Sequence, residues 1–240
     1  MASWVAGAAA RSFPPAMLFI YCASRLLVVR SSLELDAHAQ LGGALLALTT
    51  SLWAITRSVD PGRVRVSETR SSPPKGLVRP RFCERCAIDT VSIQARVKHC
   101  YVCGFCVQRR DHHCIWLGVC VGLKNHIYFL LLLACGTATC VVQLALATRG
   151  FASRASHFNG LLLHAADWSG VPLAGEQGGR VGWWPALTFI VAAHPDLAGL
   201  WMFCCVMTIV FCSYTGFCFW LAAQGLTSNE LRRRSKTRLQ

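Results

Sequence analysis

Charge is scarce in this chain of 240 residues, and acidic charge is scarcest. Only 15% of residues are charged, 11 Asp and Glu stand against 24 Lys and Arg, and 54% are hydrophobic. So little charge excludes an ordinary soluble globule and points to a membrane protein. No internal repeat is visible, and no soluble domain is evident outside one central loop. No cleavable leader is expected, because the first apolar stretch has Trp4 near its start and lacks a small-residue cleavage pattern. The net charge of +13 matters less by its size than by its place, since Lys and Arg of membrane proteins collect on the cytosolic side.

The apolar runs predict four transmembrane helices. Phe13 to about Leu33 is the first span, with Arg25 and Arg30 inside it; a central Arg costs about 2.5–3.5 kcal/mol on insertion, so these side chains are expected to snorkel or to face a partner helix. Glu34, Asp36 and His38 break the run. Ala39 to Thr56 is the second span, ended by Arg57. Residues 1–56 thus hold the N-terminus and two spans. A hydrophilic loop occupies 57–126, with thirteen Lys or Arg against five Asp or Glu. It opens on the turn Asp60-Pro61-Gly62 and contains a linker at Ser71–Gly76. The third span is 127–147. Residues 148–197 read as a lumenal loop with an interfacial helix at 183–193, flagged by Trp183 and Trp184 and broken at His194-Pro195-Asp196. The fourth span is 198–222, and 223–240 is a basic tail with Arg232, Arg233, Arg234, Lys236 and Arg238, suited to anionic lipid. Two spans separate the loop from the tail, so both lie on one side, and their charge makes that side the cytosol.

Seven of the fourteen cysteines lie between Cys83 and Cys120. The stretch reads Cys83-x2-Cys86, twelve residues, His99-Cys100-x2-Cys103-x2-Cys106, four residues, Asp111-His112-His113-Cys114, and then Cys120. In a reducing cytosolic loop, paired Cys-x2-Cys steps read as metal binding, not as disulfides. A closed tetrahedral zinc site takes four Cys or His. Two sites built from six Cys and two His leave one Cys and one or two His over. A spare thiol beside an imidazole and a carboxylate is the constellation of a cysteine nucleophile. His126 reads as an interfacial residue. Cys22, Cys135, Cys140, Cys204, Cys205, Cys212 and Cys218 fall in or near spans, where free Cys behaves as a small hydrophobe.

These residues resemble the DHHC protein S-acyltransferases, the integral-membrane palmitoyltransferases. Asp111-His112-His113-Cys114 is their signature tetrapeptide. Arg96, Trp116, Gly122, Asn125 and Phe129 stand at the family's spacing. Asp60-Pro61-Gly62 and Thr227-Ser228-Asn229-Glu230 resemble two flanking motifs. The chain departs from the pattern at a longer Cys86–His99 gap, at Ile93 and Gln94 in place of a basic-Pro pair, at Ile115 in place of Pro, and at Gly118 and Val119 in place of asparagines. None of these removes a ligand or the reactive group.

The resemblance implies a polytopic α-helical membrane protein whose cytosolic cysteine-rich domain (83–126), made of short β-hairpins between the second and third spans, binds two structural Zn2+. One ion would take Cys83, Cys86, His99 and Cys106, and the other Cys100, Cys103, His113 and Cys120. Cys114 would be the nucleophile, His112 its base and Asp111 the group that orients the imidazole. Arg96, Lys98 and Trp116 would meet the co-substrate, palmitoyl-CoA or another long-chain acyl-CoA. Partners would be the bilayer and cytosol-facing proteins with juxtamembrane cysteines, with no nucleic acid. The endoplasmic reticulum or Golgi would house the enzyme, its active site facing the cytosol. The competing reading is a non-catalytic membrane zinc scaffold or adaptor.

Overall fold

The computed structural model of the chain describes residues 36–64, 82–83, 85–86, 88–89, 96–169 and 183–237. The first expected span and the 71–76 linker lie outside them. In order come helix α1 (Asp36–Ser58), strands β1 (Phe82–Cys83), β2 (Ile88–Asp89), β3 (Lys98–Cys100), β4 (Phe105–Val107), β5 (His112–Cys114) and β6 (Val119–Val121), and helices α2 (His126–Ser169), α3 (Trp183–Ala193), α4 (Pro195–Ala223) and α5 (Ser228–Thr237).

Among the described residues, two helices have a stretch long and apolar enough to cross a membrane, His126–Arg154 of α2 and Pro195–Ala223, which is α4. Helix α3, at 11 residues, is too short, since about 20 are needed. Helix α2 runs on past Ala147, the expected end of the third span, to Ser169. Arg149 ends the apolar run, but charge does not end a helix, and no proline interrupts residues 148–169.

The chain forms two compact units. Among the described residues, the larger gathers those of 47–135 with 213–237. Its framework is three two-stranded antiparallel sheets, β1–β2, β3–β4 and β5–β6. One register recurs in all three. Cys83 pairs with Ile88, Cys100 with Phe105 and Cys114 with Val119. One step further out, Phe82 pairs with Asp89, His99 with Cys106 and His113 with Cys120. The loops of the last two hairpins close alike. Gly104 donates to the Cys100 carbonyl and Gly118 to the Cys114 carbonyl, each at 2.8 Å, and both glycines are left-handed, with φ of 75° and 70°. Gly118 therefore replaces asparagine with the other residue that takes this conformation readily.

The Asp60-Pro61-Gly62 turn adds an edge to the second hairpin. Asp60 Oδ1 accepts from the amides of Gly62 at 2.7 Å and Arg63 at 2.8 Å, and Arg63 bridges to Val107. Behind it, Gly122 admits no side chain, because a Cβ there would stand 2.3 Å from the Pro61 carbonyl oxygen and 2.5 Å from Val107 Cγ1. Asn125, fully buried, accepts from the Gly122 amide and donates to the carbonyls of Cys120 and Thr56. It locks the third hairpin to the end of α1. The main apolar core of this unit joins Cys114, Leu117 and Val121 to Phe129, Leu130, Leu132, Leu133 and Cys218, with Leu52, Trp53 and Ala222 packed on it. Among the described residues, the cores of the first two hairpins are small and built around ligand-type cysteines: Cys106 with Val64 and Val97, and Cys100 and Cys120 with Val107.

Helix α4 ends in a Schellman motif, Leu226 donating to the Leu221 carbonyl and Gly225 to the Ala222 carbonyl, each at 2.9 Å. Helix α5 then opens on a capping box. The Glu230 amide donates to Thr227 Oγ1, and Glu230 Oε2 accepts from the Thr227 amide.

Among the described residues, the smaller unit gathers 36–46 with 136–169 and 183–212. Within it α2 and α4 run antiparallel, as the pairs show: Thr137 donates to the Phe211 carbonyl, Thr208 to the Cys140 carbonyl, and Trp201 Nε1 to Thr148 Oγ1. Hydroxyls used between helices in this way are a form of polar adhesion suited to lipid. Gly136 receives Phe211, whose ring would stand 3.1 Å from a Cβ at that position.

Candidate active site and metal centres

Each metal centre is assembled from two hairpins. Cys83 and Cys86 from the first hairpin meet the His99–Cys106 pair of the second, and Cys100 and Cys103 from the second meet the His113–Cys120 pair of the third. In each set of four the ligand atoms lie within 4.8 Å of one another. Zinc bonds to sulfur and nitrogen imply tetrahedral edges of about 3.8 Å for S···S and about 3.6 Å for S···N. Cys103 and Cys120 Sγ stand 3.7 Å apart. His113 Nδ1 lies 3.3–3.8 Å from Cys100, Cys103 and Cys120, and His99 Nδ1 lies 3.3–3.8 Å from Cys83, Cys86 and Cys106. Three thiols and one imidazole at tetrahedral edges fit zinc in both places. The described cysteines form no disulfide.

The third hairpin repeats the fold of a knuckle without its second thiol. Cys114 occupies the register position of Cys83 and Cys100, while Leu117 stands where the others carry Cys86 and Cys103. Leu117 is buried to 1% exposure and packs in the apolar core. Nothing in the linear sequence marks it, because the repeat shows only once the registers are aligned.

Side chains alternate across a strand. On β5, His113 turns to the metal set, so His112 and Cys114 share the other face. There His112 meets Phe129 edge-on, with ring centroids 5.3 Å apart, and Cys114 is buried in the same apolar core. Asp111 is buried as well. Its Oδ2 lies 3.0 Å from His112 Nδ1, and its Oδ1 accepts from the Ser228 amide. Helix α5 thus presents its N-terminus to the carboxylate. Burial opposes the charge on Asp111, but hydrogen bonds from His112 and Ser228 outweigh it and hold the carboxyl below its usual range. Burial likewise opposes the charge on His112, yet hydrogen bonds to Asp111 and Cys114 push its pKa up to about 9. With Nδ1 facing the carboxylate, Nε2 is the nitrogen left to exchange a proton. A thiol beside such an imidazole can be activated as a nucleophile.

A family model described as DHHC palmitoyltransferase matches residues 77–235. The chain belongs to that family. No individual curated protein matches it. Membership makes the chain a membrane protein with a cysteine-rich zinc-binding domain, in a family of protein S-palmitoyltransferases.

The remaining residues singled out from the sequence fall in different places. Trp116 is exposed at the tip of the third hairpin, and its carbonyl accepts from Trp53 Nε1 at 3.1 Å. Lys98 lies half-buried on β3. Arg96 Nη1 donates to Glu230 Oε2 and to the Gly225 carbonyl, each at 2.9 Å. It therefore pins the corner between α4 and α5, a use the sequence did not announce because its partners lie more than a hundred residues away. His126 opens α2 and belongs to neither metal set.

Proposed function

We propose that this chain is a protein S-acyltransferase that moves a palmitoyl or other long-chain acyl group from acyl-CoA to cysteine thiols of substrate proteins. Support comes above all from one observation: His112, hydrogen-bonded to the buried Asp111, shares with Cys114 the face of β5 that meets the apolar core, opposite His113. His112 Nε2 takes the proton of Cys114, and the basicity that Asp111 lends the imidazole favours the resulting imidazolium–thiolate pair. The thiolate adds to the thioester carbonyl, CoA thiolate leaves, and the acyl group rests on Cys114 as a thioester. A substrate cysteine thiolate then attacks that carbonyl, and Cys114 leaves as thiolate. Asp111, anchored by Ser228, keeps Nδ1 protonated and the ring aimed. Two zinc ions, one in each Cys3His set, would hold the hairpins in register and supply folding energy, not chemistry at the acyl carbon.

The membrane setting follows from the substrate. Burying sixteen carbons at about 0.8 kcal/mol each amounts to roughly 12 kcal/mol, so the chain must stay in apolar surroundings while its thioester reaches Cys114. The core of Cys114, Phe129, Leu130 and Leu133 supports that placement. Lys98 is assigned to the CoA phosphates, and Arg96 can contribute through the rest of its fork. Trp116 is assigned to the mouth of the acyl site. The molecule would cross the membrane four times with the hairpins and the basic tail in the cytosol of the endoplasmic reticulum or Golgi, acting on juxtamembrane cysteines. Purified protein incubated with labelled palmitoyl-CoA should form an adduct that hydroxylamine removes. Protein with two zincs and no adduct would support the scaffold reading instead.

A further inference from the structure

Between the last ligand of β4 and the catalytic tetrapeptide the chain reads Gln108-Arg109-Arg110. It turns at Arg109, a non-glycine residue with φ of 43°, and Arg110 follows, half-buried, with its Nε shut off from solvent. Its Nη2 lies 3.8 Å from Cys100 Sγ, and Cys120 adds to the interactions that favour the charged guanidinium. Both are ligands of the second metal set. Three thiolates and one imidazole around a dication leave a net charge of −1, and a buried, uncompensated charge is costly.

We propose that Arg110 is the counter-charge of the second zinc centre, holding the Cys100 and Cys120 thiolates on the metal and damping their reactivity beside the nucleophile. N–H donors on a metal thiolate draw electron density from sulfur and lower its nucleophilicity, much as outer-shell partners tune ligands elsewhere. The need is local. His113 and Cys120 are the register neighbours of Cys114 and Val119, so an electrophile brought to Cys114 arrives one residue from metal-bound thiolate. Capture there would form a thioester on a ligand and break a metal–sulfur bond, with CoA thiolate leaving. Arg is suited to the task, since it keeps its proton and carries several donors on one rigid plane.

The test uses the full chain in detergent and needs no acyl transfer. Zinc release to a chelator is timed, and N-ethylmaleimide labelling of each cysteine is mapped by mass spectrometry. Arg110→Gln should release one of two zinc equivalents about 10-fold or more faster than wild type, with Cys100, Cys103 and Cys120 labelled ahead of Cys83, Cys86 and Cys106. Arg110→Lys keeps the charge but not the fork and should fall between. Arg63→Gln removes a guanidinium that lies over the Phe105 ring at 4.8 Å and should match wild type. Wild-type release and labelling order in Arg110→Gln would overturn the proposal. Should that variant fail to fold, wild-type release from Arg110→Lys would overturn it equally. A wild-type chain with fewer than two zincs fails the metal reading itself, and the Arg110 proposal with it, whatever the adduct assay gives.

Discussion

His112 and His113 are neighbours in the chain and stand on opposite faces of β5. The pleat alone separates their surroundings: His113 Nδ1 faces three thiols, and His112 Nδ1 faces Asp111. His112→Ala should therefore keep both zincs while Cys114 acylation slows by about 10²–10⁴-fold, the usual effect of losing a general base. His113→Ala should lose zinc and the hairpin fold with it. Zinc content and initial acylation rate, measured on both variants, check this, and equal zinc loss in the two would contradict it. Much of this site was legible in the sequence because ligand identity and short spacings are local properties. The Cys-x2-Cys steps and the tetrapeptide are written in consecutive residues. Arg110 and Leu117 were not legible, since an arginine and a leucine acquire these places only from what the fold sets beside them. The bonds of Arg96 to Glu230 and Gly225 were not legible either, because those partners lie on a distant segment that only tertiary structure brings in.

The hairpin is the element on which the fold depends. Three copies share one register, yet each metal set takes the knuckle of one copy and the cross-strand pair of the next. The third knuckle therefore has no following pair, and Leu117 removes its second thiol. Leu117→Cys restores that thiol beside Cys114. The expected outcome is a chelating or oxidisable pair, seen as added thiol-sensitive Cd2+ binding or a Cys114-linked disulfide, together with loss of the acyl adduct. An unchanged adduct with no new metal or disulfide would count against the idea. Gly122 is the tightest joint in this assembly. Gly122→Ala drives a methyl into the Pro61 carbonyl and Val107, and overpacking of this kind costs about 1–3 kcal/mol. A thermal melt should register the loss, whereas Gly104→Ala, which meets no neighbouring atom within 4 Å, should show only the strain of its left-handed backbone. The repeat escaped sequence reading because the copies differ at most positions, and registers are visible only when strands are paired. Helix α2 escaped in part for another reason. The end of a hydrophobic run marks where lipid contact can stop, not where hydrogen-bonded helix must stop, so residues 148–169 continue what the apolar stretch began.

At the scale of the whole molecule, apolar helices and a metal-dependent domain meet in one core around Cys114. The small cores of the first two hairpins consist largely of ligand-type cysteines, so a strong chelator should unfold the hairpins while α2 and α4 remain helical. Far-ultraviolet dichroism that keeps most of its helical signal, with cysteines newly open to alkylation, is the expected result. Parity gives a second expectation: a tag after Gln240 and a protease site near Ser71 should both be reached from the cytosol. Reaching only one would defeat the four-span proposal. Cys114 is proposed to carry the acyl group and to bind no metal. The most direct measurement is zinc content, hydroxylamine-sensitive adduct and transfer to a protein thiol, made on wild type and Cys114→Ser side by side. Two zincs and an unchanged melt are expected in both proteins, with adduct and transfer in wild type alone. A Cys114→Ser protein that loses zinc, or one that still forms the adduct, would contradict the proposal.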